Sequence, residues 1–385
     1  MEEYFVDLHI HIGWTEEQEP IKISSSKNLT LYNILDEAEH RKGLDMVGIV
    51  DAHSPLVQKE INKYLKEGLI EELEEGGLKY KDLTIILGSE VEIREENRGP
   101  AHFLVFFPYF QDIVEFSSWL NQHMKNINLS SQRLYVSVKE LQLKVKERSG
   151  LFIPAHIFTP YKSLYGSCCN RMSDILDLSL VDAVELGLSS DTQMADQIEE
   201  LHSISFLSNS DAHSLNKIGR EYNKILMNKP SFAELHMALH HLNGRRIMGN
   251  YGLNPKLGKY YLSRCKLCDS TIEVDRCSNC NSSKIIKGVS SRIDELADKK
   301  QPIHPEIRPP YIHQIPLEYI PKLGPKTLER LISFFGSEMN ILHKVTEEEL
   351  KKIVPADLSK MIIKGRNGEL EIERGGGGIY GKVLE

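Results

Sequence analysis

DLHIH, residues 7–11, puts two imidazoles two positions apart behind an acid, near the start of a 385-residue chain. A strand alternates its side chains, so His9 and His11 would share one face. Two neutral imidazoles side by side suit a divalent metal better than a packed core. Histidines also sit in cores bonded to backbone carbonyls, so the reading turns on whether the rest of the chain supplies further ligands. Outward from this stretch, FVDLHIHI (5–12), MVGIVDAH (46–53), LTIILGSEVEI (83–93), HFLVFF (102–107), GLFIPAHI (150–157), AVELGL (183–188) and SFLSNSDAH (205–213) read as buried strands. Residues 30–42, 111–127, 137–149, 193–202 and 231–243 read as helices, the last opened by a Ser231/Glu234 capping-box pattern. This alternation predicts an α/β fold with a parallel sheet closed into a barrel.

One feature repeats across the strands. His9 and His11, His53, Glu90, His156, and Asp211 with His213 all lie at or just before a strand's C-terminal end. That rim is where a β/α barrel carries its chemistry. With His102, the candidate ligands number eight, too many for one ion, so two or three divalent ions are expected. Histidine-rich shells with bridging carboxylates favour zinc or manganese over magnesium. Glu90 can bridge two ions, and ions so held lower the pKa of bound water, which suits hydrolysis of phosphate esters. Among the histidines outside this set, His123, His202, His236, His240 and His241 sit in helical, polar surroundings.

Composition is that of an ordinary globular protein, 41% hydrophobic and 26% charged. No apolar run approaches the roughly 20 residues that span a bilayer, and no signal-peptide pattern opens the chain. A cytoplasmic location is expected, on the nucleoid when acting, with no membrane partner. Of the six cysteines, adjacent Cys168 and Cys169 read as packing residues. The net charge of −8 is uneven: residues 251–385 carry 22 Lys+Arg against 18 Asp+Glu, so the acidity lies in residues 1–250. This permits a polyanion on the C-terminal side.

Near residue 250 the character changes, dividing the chain into 1–250, 251–300 and 301–385. In the second segment, Cys265-x2-Cys268 and Cys277-x2-Cys280 offer four thiolates to one structural zinc, with a short hairpin between the pairs. A basic helix-like run (291–300), a Pro-rich connector (301–316) and a helical segment (321–354) follow. YIPKLGPKTLERLISFF (319–335) resembles a helix-hairpin-helix, in which the Gly324 backbone approaches a DNA phosphate and Lys322 and Lys326 add charge. The GGGG run (375–378) reads as flexible or as a tight turn.

Taken in order, DLHIH, VDAH (50–53), GSEV (88–91), HFLVF (102–106), PAH (154–156) and SDAH (210–213) resemble the motifs of the PHP superfamily of phosphoesterases. The resemblance implies a distorted (β/α)7 barrel with a trinuclear site. His9, His11, Glu90 and Asp211 would hold one ion, Glu90, His102 and His156 a second, and His53 and His213 a third. Asp51 would orient a histidine. In one departure, the family has a further histidine or acid soon after its first pair. This chain instead reads GWTEEQEPIKISSSK (13–27), with Glu16, Glu17 and Glu19 as stand-ins.

The order of barrel, zinc ribbon and helix-hairpin-helix-like module, with PAHIFTPYKSLYGS (154–167), is similar to the endonuclease Q family. That resemblance implies cleavage of the phosphodiester 5′ to a deaminated base (uracil, hypoxanthine, xanthine) or an abasic site in DNA. Such an enzyme extrudes the nucleotide it inspects. Phe158, Tyr161, Tyr165, Gly166 and Ser167 are the candidate pocket for it, and Arg171 and Arg220 the candidate clamps on flanking phosphates. Two alternatives remain: a PHP phosphatase for a small phosphate monoester, and a non-catalytic DNA-binding protein with structural metals.

Overall fold

Strand β1 (Glu2–Ile10) starts exposed and ends wholly buried, because its second half runs into the middle of a ten-stranded sheet. In a computed structural model of the protein, the described residues are 1–272, 276–376 and 378–384. Residues 273–275, within the hairpin expected between the two CxxC pairs, and Gly377 of the GGGG run lie outside them. β2 (Met46–Ile49) runs parallel to β1, and β3 (Leu83–Arg94) parallel to β2. The expected all-parallel sheet ends there. β4 (Pro100–Phe107) is antiparallel to β3, and β5 (Leu151–Pro154) antiparallel to β4. The physical reason is the link between β3 and β4: residues 95–99 can close a hairpin, whereas a parallel return needs a dozen residues or more.

β6 (Ala183–Glu185) and β7 (Ser205–Leu207) form a separate parallel pair. Hydrogen bonds from Asp182 N to Phe152 O (3.1 Å) and from Ile157 N to Glu185 O (3.0 Å) tie it to β5. These seven strands make the distorted barrel. On the other side of β1, the sheet continues through β8 (Tyr222–Met227), β9 (Arg246–Gly252) and β10 (Tyr311–His313). The boundary expected at residue 250 therefore cuts through β9, and the Pro-rich connector supplies a strand to the barrel's own sheet.

The seam between β7 and β1 is closed by side chains. Asn209 Oδ1 accepts from Leu8 N (3.0 Å), and Asn223 Oδ1 accepts from Ser208 N (2.9 Å). The Asn223 amide donates to Ser208 O, Val6 O and Asn209 Oδ1, and Asn250 donates to Asn223 Oδ1 and Phe206 O. Buried backbone groups that miss a strand partner must find one elsewhere, and three amides provide it. A backbone bridge between Ile10 and Ala212 finishes the seam beside His11.

The helices form where the apolar spacing predicts, with differences. Residues 30–42 are an α-turn (Leu31–Asp36) continuing as a π-helix (Glu37–Lys42). The stretch 193–202 breaks into Thr192–Ala195 and Glu199–Leu201. Helix Phe232–Leu239 has half a capping box: Ser231 caps Glu234 N, but the Glu234 carboxylate turns to Arg245 at 2.8 Å. Helices Pro55–Lys66 and Ala356–Arg366 were not anticipated. The C-terminal helices are fused to the barrel through a buried ion pair, Lys42 with Glu338 at 3.0 Å, and through His343 stacked on Phe5. Among the described residues, no helix is long and apolar enough to cross a membrane.

Asn223→Ala removes hydrogen bonds that no neighbour can replace, and should destabilise the fold by about 2–4 kcal/mol. The urea-unfolding midpoint measures this, and an unchanged midpoint would show that the seam does not depend on the amide.

Candidate metal centre and cleft

β1, β2, β5, β6 and β7 all end at one rim of the barrel, and β3 overshoots it. Because β4 runs the other way, its start lies at this rim, which brings His102 to the strand ends. Glu90 on β3 is at the centre. His9 Nε2 lies 3.6 Å and His156 Nε2 3.4 Å from Glu90 Oε1, and His102 Nδ1 lies 2.7 Å from the same oxygen. His11 Nε2 lies 3.5 Å from Glu90 Oε2. Asp211 Oδ1 faces His9 (3.5 Å), His11 (3.6 Å) and His213 (3.3 Å). Three groups thus have ligand atoms within 4.8 Å of one another: His9–His11–Glu90, His11–Asp211–His213 and Glu90–His102–His156.

Four of these imidazoles present Nε2 inward because Nδ1 is held from behind. Glu185 Oε2 holds His9 at 2.9 Å, Asp51 Oδ2 holds His11 at 3.0 Å, Ser25 Oγ holds His213 at 3.0 Å, and Thr159 Oγ1 approaches His156 at 3.3 Å. Such outer partners fix ring orientation in metal sites. Asp51 orients a histidine, as expected. Glu185 does the same for the buried His9, though sequence reading did not single it out. Its position at the end of the AVE strand was the available signal.

The donor set fits divalent ions. Among the described residues, His9 Nε2 is buried with no hydrogen-bond partner, an arrangement that leaves a strong acceptor wanting a cation. Burial opposes charge on His9, yet Glu185, Asp211 and Glu90 push its pKa up to about 10. The field at that position therefore favours positive charge. Burial alone would raise the Glu90 carboxyl, but His102 and the Lys22 ammonium outweigh it and hold the group well below the usual carboxylate range. Two predicted ligands sit on strained backbone, His156 at φ 31° and Asp211 at φ 44°. Gly187 is required beside the first, since a Cβ there would come within 2.9 Å of the His156 Cβ.

The structure gathers seven of the eight predicted ligands and leaves out His53. That ring is buried, with Nδ1 2.9 Å from Ser89 Oγ and Nε2 3.4 Å from the Leu129 carbonyl. Glu16 and Glu17 pair with Lys63 and Lys59, and the stretch after the first histidine pair contributes Lys22 instead. Lys22 Nζ donates to Ser131 Oγ (2.6 Å) and Glu90 Oε2 (3.4 Å), and lies 3.3 Å from His11 Nε2.

The candidate ligand cluster forms the floor of a cleft of about 500 Å3. Its walls carry Lys22, Lys162, Lys217, Arg220 and Lys259, with Tyr161, Tyr260 and Tyr380. A larger cleft, about 890 Å3, lies between the barrel and the Pro-rich connector, and none of the three ligand groups lines it.

The expected nucleotide pocket is only partly there. Phe158 and Tyr165 are core residues stacked on one another at 5.2 Å, because the loop after His156 folds inward. Gly166 packs under the Thr159 carbonyl, and Ser167 Oγ bonds Pro100 O at 2.7 Å. Arg171 is committed to Leu296 O and Asp298. Tyr161 and Arg220 do line the cleft, with Arg220 Nε held by Ser210 O at 2.8 Å. Lys217, Lys259, Tyr260 and Tyr380 were missed. Tyr380 arrives because the glycine-rich tail turns back, Gly378 N donating to Lys259 O and Gly381 N to Leu257 O.

In the second segment, Cys265 Sγ lies 3.5 Å from Cys280 Sγ and Cys268 Sγ 3.4 Å from Cys277 Sγ. Zn–S bonds of about 2.3 Å imply S–S edges of roughly 3.8 Å, so a tetrahedral zinc fits. Cys168 and Cys169 are buried in the core. At the hairpin, Gly324 caps helix Pro325–Phe335, and a Cβ built on it would meet nothing within 4 Å, so this turn is open to an approaching partner.

A distorted seven-stranded barrel with imidazoles and carboxylates converging on one rim, followed by a four-cysteine module, defines a metal-dependent phosphoesterase of the PHP class. The crystal structure of the lesion-specific endonuclease PfuEndoQ from Pyrococcus furiosus matches 99% of this chain and 95% of its own, with 33% identity and a TM-score of 0.86. The chain belongs to the endonuclease Q family. A structure of Endonuclease Q with a 27-mer duplex bearing an abasic lesion at its active site matches at 32% identity and TM-score 0.85, over 99% of this chain and 96% of that one. YqxK of Bacillus subtilis (strain 168) is 48% identical over the full length of both chains. Residues 190–243 match a PHP-associated family model.

Glu90 and His11 are each common to two of the three ligand groups, and Glu90 is the shared carboxylate. Glu90→Gln should lower the metal content of the purified protein, by elemental analysis, while the thiolate-bound zinc is retained. A full complement in that variant would remove Glu90 from the ligand set.

Proposed function

We propose that this protein nicks DNA at damaged nucleotides, hydrolysing the phosphodiester 5′ to a deaminated base or an abasic site. The observation that carries this reading is the cleft: a floor of metal ligands under walls of cations and tyrosines. Cations along a groove suit a phosphodiester backbone, and tyrosine faces suit an extruded base. The alternatives of a small-monoester phosphatase and of a non-catalytic DNA-binding protein are weakened by the family relationship and by this lining.

His9, His11, Glu90 and Asp211 would hold one ion and Glu90, His102 and His156 a second, with His213 beside Asp211 as a ligand for a third. When bound, such ions activate water and stabilise charge on a phosphoryl group. The chain's own residues do the rest. Glu185, Asp51 and Ser25 keep the imidazoles of His9, His11 and His213 aimed inward. Lys22, fixed by Ser131, is the protein cation nearest the cluster and would neutralise the scissile phosphate. Lys217, Arg220 and Lys259 would hold flanking phosphates. Tyr161 and Tyr260, edge to face at 5.8 Å, would contact the extruded nucleotide with Tyr380 opposite. Gly324, Lys322 and Lys326 would meet the duplex backbone away from the lesion, without reading its sequence.

End-labelled duplexes, each with one uracil, hypoxanthine, xanthine or abasic site, test the reading beside a chromogenic phosphate monoester. A single cut 5′ to the lesion is expected with zinc, manganese or magnesium, and none with chelator. Hydrolysis of the monoester with every duplex left intact would overturn it.

Two variants divide the roles. Asp211→Asn should abolish nicking while duplex binding stays measurable. Lys22→Ala should reduce the rate by about 100-fold, the scale for losing one charge-stabilising donor, with metal content unchanged. Wild-type rates in either variant would sink its assignment.

A further inference from the structure

Outside the cleft and the four-cysteine module, one other group of ligating side chains comes together among the described residues: Asp182, His236 and His240. Asp182 immediately precedes β6, and Glu185 at the far end of that three-residue strand supports His9. The group therefore sits on the opposite rim of the barrel from the cleft. His236 and His240 are four positions apart on helix Phe232–Leu239 and its C-cap, so they share a face, with ring centroids 4.7 Å apart. Asp182 is buried. Its Oδ2 accepts from Phe152 N (2.6 Å) and Lys146 Nζ (2.5 Å), which leaves Oδ1 turned to His240 Nε2 at 2.9 Å. The His236 imidazole has no hydrogen-bond partner among the described residues.

We propose that Asp182, His236 and His240 bind a divalent transition-metal ion of the zinc class, separate from the catalytic ions and from the thiolate-bound zinc. Two imidazoles and one carboxylate suit zinc, nickel or copper rather than magnesium or calcium. A pair of histidines one helical turn apart is a familiar chelating unit. The bonds from Phe152 N and Lys146 fix the carboxylate from behind, as outer partners do in metal sites. Burial and the neighbouring His240 hold the His236 imidazole below its ordinary pKa, so it is available as a neutral ligand. The Lys146 ammonium opposes a second cation, which makes this a moderate-affinity site. Its ion would join the helix to the start of the strand that positions Glu185.

The competing account is a simple ion pair between His240 and Asp182, in which His236 does nothing. Calorimetric titration separates the two, using full-length protein whose catalytic and thiolate sites are first loaded with zinc and then freed of excess. Wild type should bind one further equivalent of zinc or nickel. His236→Ala and His240→Ala should each weaken that event at least ten-fold, and added zinc should raise the unfolding midpoint in wild type alone. Absence of the extra equivalent, or equal binding in wild type and His236→Ala, overturns the proposal. Because His236 has no hydrogen bond to lose, its variant remains informative even if His240→Ala fails to fold.

Discussion

Glu90 is a carboxylate almost without solvent, at the bottom of a cleft, facing four imidazoles and one ammonium. Removing such a charge from water costs several kcal/mol unless opposite charge and hydrogen bonds surround it. Each strand end around it meets that demand. β1 brings His9 and His11, β4 brings His102, and the turns after β5 and β7 bring His156 and Asp211. The imidazoles are in turn anchored by Glu185, Asp51, Ser25 and Thr159, so the second layer carries charge too. A site built this way has an excess of anionic and lone-pair donors over protons. Divalent ions resolve that excess.

Backbone strain points to the same centre. His156 and Asp211 both hold a left-handed conformation that costs a non-glycine residue about 1–3 kcal/mol. Each follows a short buried strand, and each must turn its side chain back over the rim instead of continuing the strand. The fold tolerates this because both sides of the turn are fixed. Ile157 N is bonded to Glu185 O after the first turn, and the Ile10–Ala212 bridge follows the second. Preorganisation here comes from the sheet, and the ligands do not need to find their positions when an ion arrives.

Much of this was legible in the sequence, for a physical reason. A His, Glu or Asp at the end of an otherwise apolar strand has few structural uses, so DLHIH, GSEV, PAH and SDAH announce themselves. The two CxxC pairs do the same, since four thiolates so close together need a metal. What could not be read was direction and depth. The antiparallel course of β4 depends on a short link, and it brings His102 to the rim from the start of its strand instead of the end. His53 carries the same motif signature as the clustered residues but lies one layer behind them, bonded to Ser89 and the Leu129 carbonyl. Phe158 and Tyr165 looked like a platform because they follow a ligand, yet aromatic side chains in a folded-in loop are worth more as core. Lys22 occupies the stretch where an acid was expected, and no pattern of spacing marks a lysine that turns inward.

The cleft walls explain why the segments beyond the barrel belong to the functional unit. Lys259 and Tyr260 lie on the connection into the four-cysteine module, with the Lys259 ammonium 5.1 Å from the Tyr260 ring and 5.7 Å from the Tyr380 ring. Lys217 is aligned by Glu318 (2.6 Å) and the Tyr319 hydroxyl (3.1 Å) from the connector into the helical module. Tyr380 in turn approaches Arg220, whose guanidinium is braced by the carbonyls beside Asp211. The candidate ligands of the cleft come from the barrel alone, whereas its walls combine barrel groups (Lys22, Tyr161, Lys162, Lys217 and Arg220) with Lys259, Tyr260 and Tyr380 from the later segments. A barrel cut at residue 250 would keep its ligands and lose one wall of its cleft. The chain beyond residue 250 thus contributes to the cleft as well as to the sheet, through Lys259, Tyr260 and Tyr380 in the walls and β10 beside β9.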